Sequence, residues 1–446
     1  MKEVSLSDIL QAREERVRLQ SDISMRFKCP IISFTMNIAG PRKNSPLVSR
    51  AFNLGLDELD KLIPEEKIIY KHIDPQMSTG PIAIYAIDEE AEPLKSICVK
   101  IEETTALGRL FDMDVIDTSF KKLTRPAERG CIVCGTAGRY CAASRAHSAD
   151  VVAAKMNEIM IDELFLHDSR FIADLVRKSL IDEVYTTPKP GLVDRRNNGS
   201  HNDMTIETFE ASANSLLDYF KECVTIGRNT ALIAYYDSFV LLREAGISAE
   251  ACMYNATGGV NTHKGAIFSF GLLCCAIGRL WTPEIPFSQT NTILSEAANL
   301  AKVAFVSDLV SPNGETAGER MYLERKSLGI RGEAASGFAS VKNIALPIFR
   351  QFINDGLSKN DAGVMALIHL IGSIDDSAIY NRGGIEGLEF AKSYARGIIE
   401  NRMMLNVYEI EKMDEVFIQR NLSAGGSADL LAVTYFLYEL EKIATS

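Results

Sequence analysis

The chain is short of positive charge. Its 446 residues carry 48 lysines and arginines against 59 aspartates and glutamates, for a formal net charge of −11. That excludes a general nucleic-acid binder, whose phosphate contacts need a basic face, although it leaves room for a local basic pocket that takes an anionic small molecule. Long hydrophobic runs are also missing. The most apolar stretch, Gly265 to Gly278, has 14 residues, well under the ~20 needed to cross a bilayer, and reads as a buried helix. The first twenty residues are charged throughout and lack the apolar centre of a signal peptide. The nine cysteines fall at irregular spacings; without a secretion signal they fit a reducing cytoplasm, in which disulfides are not expected. No fixed-period repeat, low-complexity tract or long linker stands out.

What is present is an ordinary globular mixture, 46% hydrophobic and 24% charged, long enough for two or three domains. Up to about residue 150 the texture alternates. Short β-branched or aromatic runs bounded by turn residues predict strands over 29–38, 80–87, 96–103 and 109–117, with a helix over 7–26. Beyond that point alternating runs vanish, and Ala, Leu, Ile and Met recur at helical spacing. The expectation is an α/β domain over residues 1–165 followed by an all-α domain over 166–446.

In the first half, "GRLFDMDV" places Asp112 and Asp114 two apart on a predicted strand, so both point to one face. Paired carboxylates repel unless a cation lies between them. Magnesium, which prefers hard oxygens and bridges phosphates, suits the pair as metal ligands and catalytic groups; two solvated aspartates on an exposed strand are the other reading. "MNIAGPRKNSP" sets Arg42 and Lys43 in a cationic turn that could hold phosphate or be a plain surface loop, and Arg109 adds a third candidate for substrate binding. Cys131, Cys134, Cys141 and His147 follow as C-x2-C-x6-C-x5-H. Four soft donors in so short a span resemble a structural zinc site. The spacing matches no common finger, and reduced, partly buried cysteines remain the alternative.

Taken together, "MNIAGPRKNS", "GRLFDMDV" and "CIVCGTAGRYCAASRAHS" resemble the apo-citrate lyase phosphoribosyl-dephospho-CoA transferase family, over about residues 5–165. The resemblance implies a nucleotidyltransferase-like domain that attaches phosphoribosyl-dephospho-CoA to a serine of the acyl carrier subunit of citrate lyase and releases pyrophosphate. "TPKPGLVDRRNNGSHNDM", "GGVNTHKGAIFSFGLL", "GIRGEAASGF" and "GGSADLLAVTYFL" are similar to the triphosphoribosyl-dephospho-CoA synthase family, over roughly 168–442. That family exchanges the adenine of ATP for the ribose 2′-hydroxyl of 3′-dephospho-CoA. A chain with both would make the prosthetic group and then install it, with ATP, 3′-dephospho-CoA and the apo carrier subunit as partners.

Base displacement at an anomeric carbon builds oxocarbenium character, which carboxylates stabilise; the attacking hydroxyl needs a base and the departing adenine an acid. The second half offers the residues. Lys189 and Arg195 are candidate phosphate contacts or surface charges. Asp194 and Asp203 are candidate carboxylates, and Asp203 could equally be the N-cap of the helix that follows. His201, in a Gly/Ser/Asn setting, is a candidate acid or base, whereas His369 in "MALIHLIG" reads as a core histidine. His263 and Lys264 start the apolar helix, with Lys264 expected on phosphate and His263 on proton transfer; a glycine turn capped by Asn261 is the bland alternative. Glu315, Arg320, Arg331 and Glu333 lie among glycines and could form salt bridges instead. "SIDDSAIYNRGG" departs from the Asp-Thr-Asn pattern associated with the family. Asp429 in "GGSADLLA" caps a helix or faces the pocket. Two alternatives stay open at this point: the equivalent pathway for the malonate decarboxylase carrier, and a ribosyl-bond hydrolase fused to a zinc-dependent interaction module.

Overall fold

The computed structural model describes residues 3–308, 317–401 and 406–445. The chain divides into two compact units, Met1–His167 and Asp168–Ser446, and the boundary falls inside one long helix, Ala149–Tyr185.

The first unit is built on a small sheet of four strands, β1 (Ile31–Met36), β2 (Ile68–Asp74), β3 (Ile82–Ile87) and β4 (Phe111–Ile116). Their order is β2-β3-β1-β4 and every pair is antiparallel. The expected mixture of helix and sheet is therefore present, without the parallel crossovers of an alternating α/β sheet. β1 and β3 are central; Ile31, Ile32, Phe34 and all six residues of β3 are buried. β4 is an edge strand whose alternation sends Phe111, Met113 and Val115 into the core and leaves Asp112 and Asp114 half-buried on the opposite face.

Two local expectations are corrected. Residues 96–103, read as a strand, belong to the helix Ala91–Thr104. Leu94, Cys98, Ile101 and Glu102 form its buried stripe at i, i+4, i+7 and i+8, a helical period that the β-branched Ile and Val had disguised. β2 was not foreseen. Its apolar residues fall on both faces, with Ile69 and Ile73 exposed, so the run lacks the clean alternation that marks a strand.

Among the described residues the second unit has helices and connecting loops and no strand. At its centre lies Lys264–Leu280, with twelve buried residues from Ala266 to Gly278. It is apolar on all sides because other helices surround it. Its tightest neighbour is Leu217–Asn229: a β-carbon on Gly227 would lie 2.1 Å from the Cys275 carbonyl oxygen, and one on Gly278 2.0 Å from that of Val224. The two backbones touch where only hydrogen fits. Among the described residues no single helix is long and apolar enough to cross a membrane.

Candidate functional site

The exposed face of β4 opens onto a cleft of about 1340 Å³ in the first unit. Asp112, Asp114 and Arg109 all line it, so the strand alternation brings together three of the sequence candidates. Its walls carry seven cationic side chains against four carboxylates, in a chain whose overall charge has the opposite sign. Burial, and then the neighbouring Asp114 charge, push the Asp112 carboxyl above the usual aspartate range. Asp114 accepts from Lys122 Nζ.

A framework of buried polar contacts fixes the basic wall. Glu102 accepts from the Met113 N–H at 2.9 Å and pairs with Arg129, whose Nη1 also donates to the Phe111 carbonyl at 2.7 Å. Arg125 sits beside Glu102 at 3.6 Å and Glu103 at 2.8 Å, while its Nε and Nη1 have no hydrogen-bond partner. Nη1 keeps only that long ion pair to Glu102 and Nε has no partner, so the guanidinium beside the cleft retains donor capacity suited to an anion. Arg42 and Lys43, expected to hold phosphate, do not line this cleft. Arg42 pairs with Glu3 at 3.4 Å, and Lys43 turns inward to the Ile38 carbonyl; burial lowers its pKa.

Cys131, Cys134, Cys141 and His147 come together at one edge of the same cleft, their donor atoms all within 4.8 Å of one another. Cys134 Sγ lies 3.5 Å from Cys141 Sγ and 3.3 Å from His147 Nε2, and Thr136 Oγ1 lies 3.0 and 3.1 Å from the two sulfurs. Hydrogen bonding, chiefly from Thr136 and then from His147, pulls the Cys134 thiol down to about 6. The Cys141 thiol is raised.

In the second unit, the polar stretch 186–203 is a loop stitched together by its own side chains. Asp194 is buried and accepts from the N–H groups of Lys189, Arg196 and Asn197. Asp414, also buried, accepts from the Gly191 N–H at 2.9 Å and from Asn197 Nδ2 at 2.8 Å. Lys189 is the main departure from expectation: its side chain is 2% exposed and forms a salt bridge with Glu183, itself 7% exposed, so neither surface charge nor an open phosphate contact describes it. Two prolines flank this lysine in a polar stretch, and nothing in it announces an interior ion pair. Arg195 Nη2 donates to Asn360 Oδ1 at 3.0 Å.

The histidines separate. His201 Nδ1 accepts from Arg382 Nη2 at 3.1 Å, so Nε2 carries the proton and faces Ser423 Oγ at 2.8 Å. Burial first, then the Arg382 charge, keep it neutral. Both ring nitrogens are thus engaged. Asp203, largely exposed, is 3.9 Å away and is not a helix cap, since Thr205 caps the helix Ile206–Ser215. His263 is buried and its pKa falls to about 3, mainly through desolvation with a smaller contribution from Lys189. Thr262 Oγ1 donates to Ser212 Oγ at 2.7 Å, and Ser212 Oγ is 2.7 Å from His263 Nδ1. That relay lets Ser212 donate to Nδ1 and leaves the proton on Nε2, a buried atom with no partner. Lys264, expected beside it, is 56% exposed and pairs with Glu250 at 2.8 Å, while Asn261 Oδ1 accepts its backbone N–H at 3.3 Å.

Glu333 lines a separate cavity of about 430 Å³ with Asp375, Asp376 and Lys392. It accepts from the Ser340 N–H and hydroxyl, and burial raises its pKa. Arg331 lies outside that lining, and Arg320 Nη2 donates to Asn381 at 2.8 Å. Glu315 lies outside the described residues. Asp376, which with Ser377 breaks the Asp-Thr-Asn pattern that Asp375 begins, is buried under donors from Ala378, Ile379, Gly426 and Ser427 and joins two helix starts. Asp429 presses onto the first turn of Lys264–Leu280: a β-carbon on Gly265 would meet its Oδ2 at 2.0 Å. Burial, then the Glu183 and Asp376 charges, raise its pKa strongly. Glu183, Arg382, Asp414 and Ser212 were not singled out from the sequence; each lies in or beside an unremarkable helical pattern.

Two family models match the chain. One, apo-citrate lyase phosphoribosyl-dephospho-CoA transferase, covers residues 4–163. The other, ATP:dephospho-CoA triphosphoribosyl transferase, covers residues 169–446. A relative named Protein CitXG from Haemophilus influenzae is 34% identical over 453 residues, 97% of this chain and 96% of its own. Another Protein CitXG, from Leuconostoc mesenteroides subsp. cremoris, is 31% identical over 98% of this chain and 97% of its own. The Klebsiella pneumoniae 2-(5''-triphosphoribosyl)-3'-dephosphocoenzyme-A synthase is 39% identical over 60% of this chain and 89% of its own.

Proposed function

The chain belongs to the family that fuses these two transferases, and on that premise we propose that it makes the citrate lyase prosthetic group in its second unit and installs it with its first. In the first reaction the bond from adenine to the ribosyl anomeric carbon of ATP breaks. A bond from that carbon to the 2′-oxygen of 3′-dephospho-CoA forms, the hydroxyl loses its proton and adenine gains one. In the second, a serine oxygen of the acyl carrier subunit attacks the phosphorus nearest the added ribose. A phosphodiester forms, pyrophosphate leaves and the hydroxyl proton is lost to solvent.

The observation that carries the reading is the basic cleft around Asp112 and Asp114, in a unit matched separately from the helical one. Magnesium fits the pair. Two hard carboxylates share a strand face, and Asp112 is pushed up first by burial and then by the Asp114 charge, which a divalent cation would offset. Asp112 and Asp114 would hold the ion, which neutralises phosphate charge when bound. Arg109, Arg125 and Arg129 orient the triphosphate. In the helical unit, the Thr262–Ser212 relay makes His263 Nε2 a hydrogen-bond donor, so the neutral His263 would stabilise the departing adenine through that hydrogen bond rather than act as base on the attacking hydroxyl, and adenine takes its proton from solvent. Chromatography of the full chain with ATP and 3′-dephospho-CoA tests the first step: adenine should appear one-for-one with the triphosphoribosyl product. ADP, or free ribose phosphates without that product, would sink the assignment.

A further inference from the structure

The segment 130–147 is ordered without a core of its own. It begins in a turn in which the Gly135 N–H donates to the Cys131 carbonyl at 2.9 Å, Gly135 sits in the left-handed region at φ 76°, and residues 130 and 137 form an isolated bridge. The short helix Gly138–Ser144 follows. Across these residues Cys141 alone is buried. A segment with so little apolar burial needs another tie to hold one conformation.

The donors supply that tie. Two thiolates bound to zinc at ~2.3 Å in tetrahedral geometry stand about 3.8 Å apart. The 3.5 Å between Cys134 and Cys141, and the 3.3 Å from Cys134 to His147 Nε2, are already close to such edges. All four donor atoms fall within 4.8 Å, which admits a single ion. Three sulfurs and one imidazole nitrogen are the soft set that selects zinc over magnesium. Thr136 Oγ1, near two of the sulfurs, stands where a hydroxyl supports bound thiolates.

We propose that Cys131, Cys134, Cys141 and His147 bind one zinc ion, and that this ion fixes segment 130–147 as the basic wall of the first unit's cleft. The segment brings Arg139 and Arg145 to the cleft and offers the Gly130 carbonyl to Arg109. Zinc therefore positions the groups that receive the anionic substrate and takes no part in bond making. The second clause rests on the carrier-loading function assigned to that cleft; the metal site itself does not.

The test uses the full chain, purified under reducing conditions without chelator. Metal analysis should find zinc at one per chain in wild type and in the exposed-cysteine control Cys252→Ser, and near zero in Cys134→Ser and Cys141→Ser. Cobalt in place of zinc should show a thiolate-to-metal charge-transfer band in wild type and Cys252→Ser and lose it in Cys134→Ser and Cys141→Ser. Zinc removal by chelation, followed by removal of the chelator and return of magnesium, should open residues 125–150 to protease and cut carrier loading by ~10-fold or more, while adenine release stays unchanged. A metal-free wild type that takes up neither zinc nor cobalt overturns the site, as does a Cys134–Cys141 disulfide in the native chain. Zinc whose removal changes neither cleavage nor loading overturns the wall. Metal content and cleavage pattern decide the site even if the zinc-loaded chain loads no carrier, an outcome that would instead sink the assigned function.

Discussion

Residue chemistry in the helical unit turns on His263. Its pKa falls from 6.5 to about 3 because it is buried, so the unfolded chain binds a proton that the folded chain refuses. Stability is therefore at its full value above pH ~6.5 and falls as pH drops towards 3, by up to about 1.4 kcal/mol per pH unit. Urea melts at pH 7 and pH 5 should show that loss in wild type, and His263→Gln should show a smaller one. The same variant should lower kcat for adenine release by ~10²–10³-fold, the loss of one positioned donor, with little change in the KM for ATP. Unchanged kcat in a folded variant would make the Thr262–Ser212–His263 chain structural. The sequence placed His263 at the start of a buried helix, and there it lies. The divergence of His263 and Lys264 was not legible, since neighbours on a helix start point about 100° apart and only the surrounding helices decide which is covered.

Among the elements, the pairing of Leu217–Asn229 with Lys264–Leu280 depends on Gly227 and Gly278. Gly227→Ala would drive a methyl into the Cys275 carbonyl and should cost about 1–3 kcal/mol by denaturant melts; a change below measurement error would mean that the helices can separate without penalty. The buried helix itself was plain in the sequence, because 14 nearly unbroken apolar residues allow little else. β4 was legible for a related reason, its alternation of Phe, Met and Val with Asp. The helix Ala91–Thr104 was not, because β-branched residues in a short window fit either period. Nor was the anchoring of loop 186–203 by Asp414, more than 200 residues along the chain, since no local pattern encodes so distant a partner.

For the whole molecule, the proposed function puts synthesis and installation in separate units. The two family matches meet between residues 163 and 169, and the basic cleft is lined only by residues up to Met156. The basic cleft in an acidic chain also predicts that carrier loading weakens with salt more steeply than adenine release, since unscreened attraction matters most where phosphate meets arginine. Equal salt slopes for the two activities would argue against the cleft as the loading site. The most direct measurement is mass spectrometry of the apo carrier subunit after incubation with the full chain, magnesium, ATP and 3′-dephospho-CoA, alongside the same reaction with Asp112→Asn. Wild type should add one phosphoribosyl-dephospho-CoA to a serine. Asp112→Asn should leave the carrier bare while adenine and the triphosphoribosyl intermediate accumulate at the wild-type rate. A folded Asp112→Asn chain that still loads the carrier, or that loses both activities together, would contradict the two-site account.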